Sequence, residues 1–188
     1  LISFSEQAEE GIKKAIKNLK SEIGSEKLIG YILDLRNNPG GLLGQSIAVT
    51  DSFLNSGEIV STKGRDKSDI GSFKASNGDL TNNKPIIVLI NRGSASASEI
   101  VAGALQDHKR AIIVGEQSYG KGSVQTVFPL SDKSAIRLTT ALYYTPSGDS
   151  IHKVGITPDI EILNERNSEN KIDNQLNHAL DLLTKEKI

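Results

Sequence analysis

Three short stretches of the chain combine residue types that can do nucleophilic chemistry. Gly93-Ser94-Ala95-Ser96-Ala97-Ser98-Glu99 offers three hydroxyls among small residues, directly before an apolar helical pattern. Tyr119-Gly120-Lys121-Gly122 holds a lysine between two glycines, where other backbone can come close. Asn37-Asn38-Pro39-Gly40-Gly41 is a turn whose glycines can present backbone N–H groups without side-chain hindrance. Together the three can supply a nucleophile, a base and an oxyanion hole. A serine hydroxyl has to lose its proton to attack a carbonyl, and a free lysine, with a pKa of about 10.4, is a poor base at neutral pH. A site that uses a lysine this way has to disfavour the ammonium by burial or by its neighbours.

Each stretch also has a plainer reading. Ser96 followed by Glu99 fits a capping box, in which the serine only satisfies helix N–H groups. Asn-Asn-Pro-Gly-Gly is by itself a turn, and a lysine between glycines is ordinarily a solvated loop residue. Other catalytic arrangements find less support. The chain has no Cys, which excludes thiolate zinc sites, disulfides and cysteine nucleophiles. His108, His152 and His178 form no metal-spaced pair, and no G-x-S-x-G elbow is present. Ser118 and Lys121 match S-x-x-K, but that motif needs one helical turn between them, and the glycines around Lys121 oppose a helix. There is no Walker loop and no dinucleotide-binding G-x-G-x-x-G.

These stretches fall where apolar strand patterns end. Strands are expected at Leu1 to Phe4, Leu28 to Leu35, Pro85 to Asn91, Ala111 to Val114, Val124 to Leu130 and Ile136 to Tyr144. Helices are expected over about Ser5 to Ile23, with Ile12, Ile16, Leu19 and Ile23 as one stripe, and over about Leu42 to Leu54, Ser96 to His108 and Lys171 to Leu183. Glu58 to Asp79 reads as a β-excursion with a turn at Asn77-Gly78, and Asn164 to Asn170 as a linker. The alternation predicts an α/β fold around a largely parallel sheet flanked by helices. In such sheets ligands bind at the carboxyl ends of the strands, which is where all three stretches lie.

The length of 188 residues fits one domain. Lys and Arg number 22 and Asp and Glu 23, giving a net charge of −1. That balance argues against a nucleic-acid partner or a basic membrane-binding face. Apolar runs such as Pro85 to Ile90 are too short to span a bilayer. The chain opens on Leu1 with no signal-peptide pattern and is expected to be part of a longer protein.

Taken with their neighbours, the motifs are specific. Leu33-Asp34-Leu35-Arg36-Asn37-Asn38-Pro39-Gly40-Gly41, Gly93 to Ile100 and Gly120-Lys121-Gly122-Ser123-Val124-Gln125 resemble the carboxyl-terminal processing proteases, also called tail-specific proteases. Ala104-Leu105-Gln106-Asp107, Tyr143 to Gly148 and Gly155-Ile156-Thr157-Pro158-Asp159 are similar to that family too. The resemblance covers about Leu1 to Ile162, a protease core domain (1–162), with 163–188 as linker and C-terminal helix.

It implies a crotonase-like protease core and a serine peptidase with a Ser/Lys dyad, acting near the C-termini of protein or peptide substrates and using no metal or organic cofactor. The motifs place the nucleophile at Ser96 and the general base at Lys121, with Gln125 completing a triad. If Lys121 to Gln125 is strand, Lys121, Ser123 and Gln125 share a face. The resemblance also puts the oxyanion hole at the N–H of Ala97 with Gly40 or Gly41, and gives Asp107 a supporting role. Family members usually carry a PDZ domain upstream of this core, and none is expected within these 188 residues. The family implies an extracytoplasmic bacterial setting, periplasm or envelope, and leaves open envelope association through an upstream segment and homo-oligomerisation. Two readings from other classes are a catalytically silent binding or scaffold module and, from shared fold alone, a crotonase-type acyl-CoA enzyme.

Overall fold

In the computed structural model, which describes residues 1–66, 70–76, 78–165 and 172–185, the strand patterns sort into two four-stranded sheets. The elements in chain order are α1 (Ala8–Ile23), β1 (Tyr31–Asp34), α2 (Leu43–Asp51), β2 (Glu58–Gly64), β3 (Ile70–Lys74), β4 (Ile86–Ile90), α3 (Ala97–Asp107), β5 (Ile112–Gly115), β6 (Ser123–Pro129), β7 (Ala135–Tyr144), β8 (Ile160–Glu161) and α4 (Asn174–Lys185). The first sheet is parallel in the order β1-β4-β5-β8, with Leu33 opposite Val88 and Val88 opposite Ile113.

Strand β4 is buried at all five positions, as an unbroken Ile-Ile-Val-Leu-Ile run requires of a strand covered on both faces. Its alternate side chains serve two different cores. Ile86, Val88 and Ile90 pack with Ile16 of α1, Val49 of α2 and Val101 and Leu105 of α3. Ile87 and Leu89 point to the other face, where Ala179 and Leu183 of α4 cover them together with Val114. Arg36, just past β1, ties α4 down by donating from Nη1 and Nη2 to the two carboxylate oxygens of Asp173, both at 2.8 Å, and from Nη1 to Gln175 Oε1 at 3.0 Å. The hydrogen bonds it donates to Asp34 and then to Asp173 hold the Arg36 guanidinium well above the usual arginine pKa.

The expected excursion grows into a second, antiparallel sheet ordered β3-β2-β7-β6. Ser61 pairs with Ser72 on one side and Tyr144 on the other, so the late strand β7 returns to the excursion rather than to the parallel sheet. The far part of the β6–β7 hairpin leaves Val127, Phe128, Ile136 and Leu138 exposed. Two expectations shift. Leu1 to Phe4 forms a single bridge from Phe4 to Gly41 rather than a strand. Helix α1 buries Ile16 but leaves Leu19 and Ile23 exposed, so only its first half supplies core. Asn77 of the expected turn, and 166–170 of the expected linker, lie outside the described residues. Among the described residues no helix is long and apolar enough to cross a membrane.

Candidate active site

Because β1, β4 and β5 are adjacent and parallel, the three turns that leave their carboxyl ends stand side by side. Backbone and side-chain hydrogen bonds stitch them together. The first and second turns are joined by Ala95 N–H to Asn38 O at 3.0 Å and by an Asn37–Asn91 pair, Asn37 N–H to Asn91 Oδ1 at 2.9 Å and Asn91 Nδ2 to Asn37 Oδ1 at 3.0 Å. The third turn joins the second through Tyr119 N–H to Ser94 O at 3.0 Å.

The structure separates the three serines of the second turn. Ser94 is fully buried, its Oγ–H donating to Leu35 O at 2.8 Å while Oγ accepts from Asn91 N–H at 3.0 Å. Ser98 is also fully buried and donates to Asn38 O at 2.9 Å. Ser96 alone is half-exposed. It sits between β4 and α3 at φ 55° and ψ −112°, a left-handed backbone that costs a non-glycine residue about 1–3 kcal/mol. A strained serine on a strand-to-helix turn is the geometry of a nucleophile elbow. The positions two before and two after it, where the G-x-S-x-G motif has glycines, are Ser94 and Ser98. For that reason the sequence lacks the elbow motif, although the fold builds an elbow.

Backbone N–H groups of the adjoining segments differ in what they bond. The Ala97 N–H, first in α3, makes no hydrogen bond among the described residues, and neither does that of Gly41. The Gly40 N–H is already engaged by Asn38 Oδ1 at 2.9 Å. Gly40 itself is packed against the serine turn. A Cβ there would lie 2.7 Å from Ala95 O, 2.8 Å from Ser96 Cβ and 2.9 Å from Ala97 N, at a φ of +101°. Gly40→Ala should therefore push the Ser96 turn aside. A displacement of about 1 Å in a catalytic group costs on the order of 10²-fold in rate, so kcat/KM should drop by at least that much. A thermal melt of the same variant would show whether the chain is still folded, and wild-type turnover in a folded Gly40→Ala chain would contradict this packing argument.

Lys121 and Gln125 are both exposed. Among the described residues no hydrogen bond joins Lys121 Nζ to Ser96 Oγ or to Gln125. The shared strand face is not realised either. Strand β6 begins at Ser123, and the β6–β7 register shifts between Val124 and Gln125. Lys121 stays off the strand because its neighbours are held by the 151–155 loop. Gly120 O accepts from Lys153 N–H at 2.8 Å, and a Cβ on Gly122 would stand 2.3 Å from His152 N. Asp107 ends α3, about 16 Å of helix rise from Ser96, where its Oδ2 accepts from Ser147 N–H at 2.8 Å and steadies the turn after β7. Among the described residues no group of three or more His, Asp or Glu side chains is placed to hold a metal ion.

A residue that sequence reasoning takes for a helix cap proves central. Glu99 is fully buried, and its carboxylate accepts from Ser96 N–H at 2.7 Å, Lys121 N–H at 2.9 Å, Gly120 N–H at 2.6 Å and Ser118 Oγ–H at 2.6 Å. The first of these is half of the expected capping box. The other three cross to the lysine turn, and the sequence carries no signal for them beyond an acidic residue in an otherwise apolar helix.

A strained serine on a strand-to-helix turn, with the unbonded Ala97 N–H next to it, is the geometry of a nucleophile elbow at the carboxyl edge of a parallel sheet. Residues 1–162 match Peptidase family S41, and the chain belongs to that family. It is 65% identical over 162 residues to a carboxy-terminal-processing protease of Bartonella bacilliformis, covering 86% of this chain and 37% of that protein. It is 45% identical over 188 residues to a carboxyl-terminal-processing protease of Synechocystis sp., covering 98% of this chain and 43% of the relative. Its fold matches the photosystem II D1 C-terminal processing protease with a TM-score of 0.79 at 37% identity, over 86% of this chain and 41% of that one. The chain thus spans about two fifths of the length of these relatives.

Proposed function

We propose that this chain is the catalytic core of a serine endopeptidase that cleaves proteins or peptides near their C-termini through an acyl-enzyme. The observation that carries the reading is the separation of the three serines. Two hydroxyls are spent on buried bonds, and only Ser96 is left half-exposed on a strained turn. In this reading Lys121 takes the Ser96 Oγ proton as the oxygen attacks the substrate carbonyl carbon. The N–H groups of Ala97 and Gly41 receive the developing oxyanion, because Gly40 N–H is engaged by Asn38. The positive end of α3 favours the same charge. Collapse breaks the C–N bond, and the leaving amine takes the proton from Lys121. Water then gives a proton to Lys121 as its oxygen attacks the acyl carbon, and as the C–O bond to Ser96 breaks, Ser96 Oγ takes that proton back from Lys121 and the free carboxyl end leaves. Gln125 orients the lysine amine without handling the proton, and Asp107 acts only through the turn it holds.

Since Lys121 is exposed, the water exclusion that a lysine base needs comes from bound substrate or from other parts of a longer protein. A setting outside the bacterial cytoplasm belongs to the same proposal and is supported by the family resemblance. Relatives named carboxyl-terminal-processing peptidases also occur as chloroplastic proteins in Arabidopsis thaliana. The reading is tested by incubating the purified protein with an unstructured polypeptide and following the fragments by mass spectrometry. Cleavage near the free C-terminus is expected, with a loss of at least about 10³-fold in Lys121→Ala and a smaller one in Gln125→Ala. Unchanged cleavage by Lys121→Ala would assign the base to another residue.

A further inference from the structure

We infer that Glu99 is a positioning residue that holds the nucleophile turn and the base turn in one register. The inference deepens the proposed function and rests on its assignment of Ser96 and Lys121. Its ground is the division of labour at a single buried carboxylate. Oε2 accepts from the backbone N–H of Ser96 and of Lys121, so the two residues proposed to exchange a proton hang from one oxygen atom. Oε1 accepts from Gly120 N–H and Ser118 Oγ–H, which fixes the approach of the lysine turn. An ionised carboxylate has about four acceptor directions, and here four donors occupy it.

Two features of the surroundings require such an anchor. Ser96 is kept at φ 55°, and its own N–H is one of the groups bonded to Glu99, so the carboxylate helps to hold the strained turn. Lys121 has no strand ladder of its own, since β6 starts two residues later. Apart from the bonds to Glu99, the lysine turn is held by Ser118 N–H and Oγ, Tyr119 N–H, Gly120 O and, on the far side, Gly122 O, which accepts from Tyr143 N–H at 2.8 Å; none of these groups belongs to Lys121 itself. A cap alone would need one bond to Ser96. The remaining three bonds have no role in helix capping, and all of them lead to the lysine turn.

The test compares Glu99→Gln with wild type. Glutamine keeps the volume but turns one acceptor oxygen into an NH₂: in place of Oε2 it opposes the Ser96 and Lys121 N–H groups, in place of Oε1 the Gly120 N–H, so in either orientation the four-donor arrangement that ties the two turns together is lost. Turnover should fall about 10²-fold while KM changes by less than about threefold, because the turns are misplaced and no substrate contact is removed. A second readout does not depend on activity. Amide hydrogen exchange at Ser96, Gly120 and Lys121 should accelerate together in Glu99→Gln, while the amides of β4 stay protected. Should Glu99→Gln fail to fold, Glu99→Asp serves instead: one methylene shorter, it cannot reach both turns and should show an intermediate loss of kcat.

Wild-type kcat together with unchanged exchange at both turns would overturn the inference, and so would faster exchange at only one of them. Failure of the protease reading looks different, since wild type would then show no Ser96-dependent cleavage whatever the exchange data say.

Discussion

Ser96→Ala should abolish proteolysis while leaving the fold intact. Removing the nucleophile of a serine hydrolase lowers kcat by about 10⁴- to 10⁶-fold, since what remains is binding and the oxyanion donors. The fold should survive because the Ser96 side chain makes no long-range bond, unlike Ser94 and Ser98, whose hydroxyls reach Leu35 O and Asn38 O across 59 and 60 residues. Those two serines are the natural controls. Ser94→Ala takes one of two donors from Leu35 O and strips Asn91 N–H of its acceptor, and Ser98→Ala takes one of two donors from Asn38 O, so each should cost about 1 kcal/mol of stability, with a loss of turnover that follows from loosened turns rather than lost chemistry. The check is a kcat/KM measurement on an unstructured substrate alongside a denaturant melt of each variant. Residual cleavage by folded Ser96→Ala at more than about one thousandth of the wild-type rate would move the nucleophile elsewhere.

The same contrast shows what the sequence can convey. The three turns are readable because each is a small-residue interruption after an apolar run, and parallel strands in the order β1-β4-β5 bring such interruptions to one edge. The choice among Ser94, Ser96 and Ser98 is not readable from spacing, because it depends on carbonyls about sixty residues away. Nor does spacing show that Asn38 Oδ1 takes the Gly40 N–H, since that depends on the Asn38 side chain folding back onto its own loop. The run Ile86 to Ile90 announces a buried strand, but nothing local announces that β7 pairs with β2 rather than joining the parallel sheet. Non-local β pairing is set by the whole fold, and period alone does not reveal it. The family motifs do point to Ser96 and Lys121, yet they give no sign that Glu99 binds the two turns together.

Stability should respond most strongly at the opposite end of the sheet, where Asp79→Ala is expected to cost about 3 kcal/mol at neutral pH. The Asp79 side chain is 2% exposed and accepts from Arg110 Nη2 at 3.0 Å. Arg110 in turn donates to Phe53 O at 3.1 Å and Lys84 O at 3.0 Å, linking the end of α2, the loop before β4 and the approach to β5. Deleting the carboxylate leaves a largely buried guanidinium without its charge partner, which is worse than losing the pair. The side chain of Arg110 keeps some access to water, at 15% exposure, and so the lower end of the usual range applies.

Burial alone would raise the Asp79 pKa, but donors from the Thr81 hydroxyl and N–H, the Asn83 N–H and the charge of Arg110 outweigh it and hold the carboxyl below its ordinary value. A carboxylate with a depressed folded pKa adds stability above its unfolded pKa, about 3.9, and loses it as pH falls through the folded value. The gap in unfolding free energy between wild type and Asp79→Asn should therefore be full at pH 7 and narrow below about pH 4. Urea melts at pH 7 and pH 3 measure it, and a gap that stays constant, or widens in acid, contradicts a depressed folded pKa. Turnover per folded molecule should be unchanged in Asp79→Asn, because Asp79 holds the amino-terminal end of the parallel strands while Ser96 and Lys121 stand at their carboxyl ends.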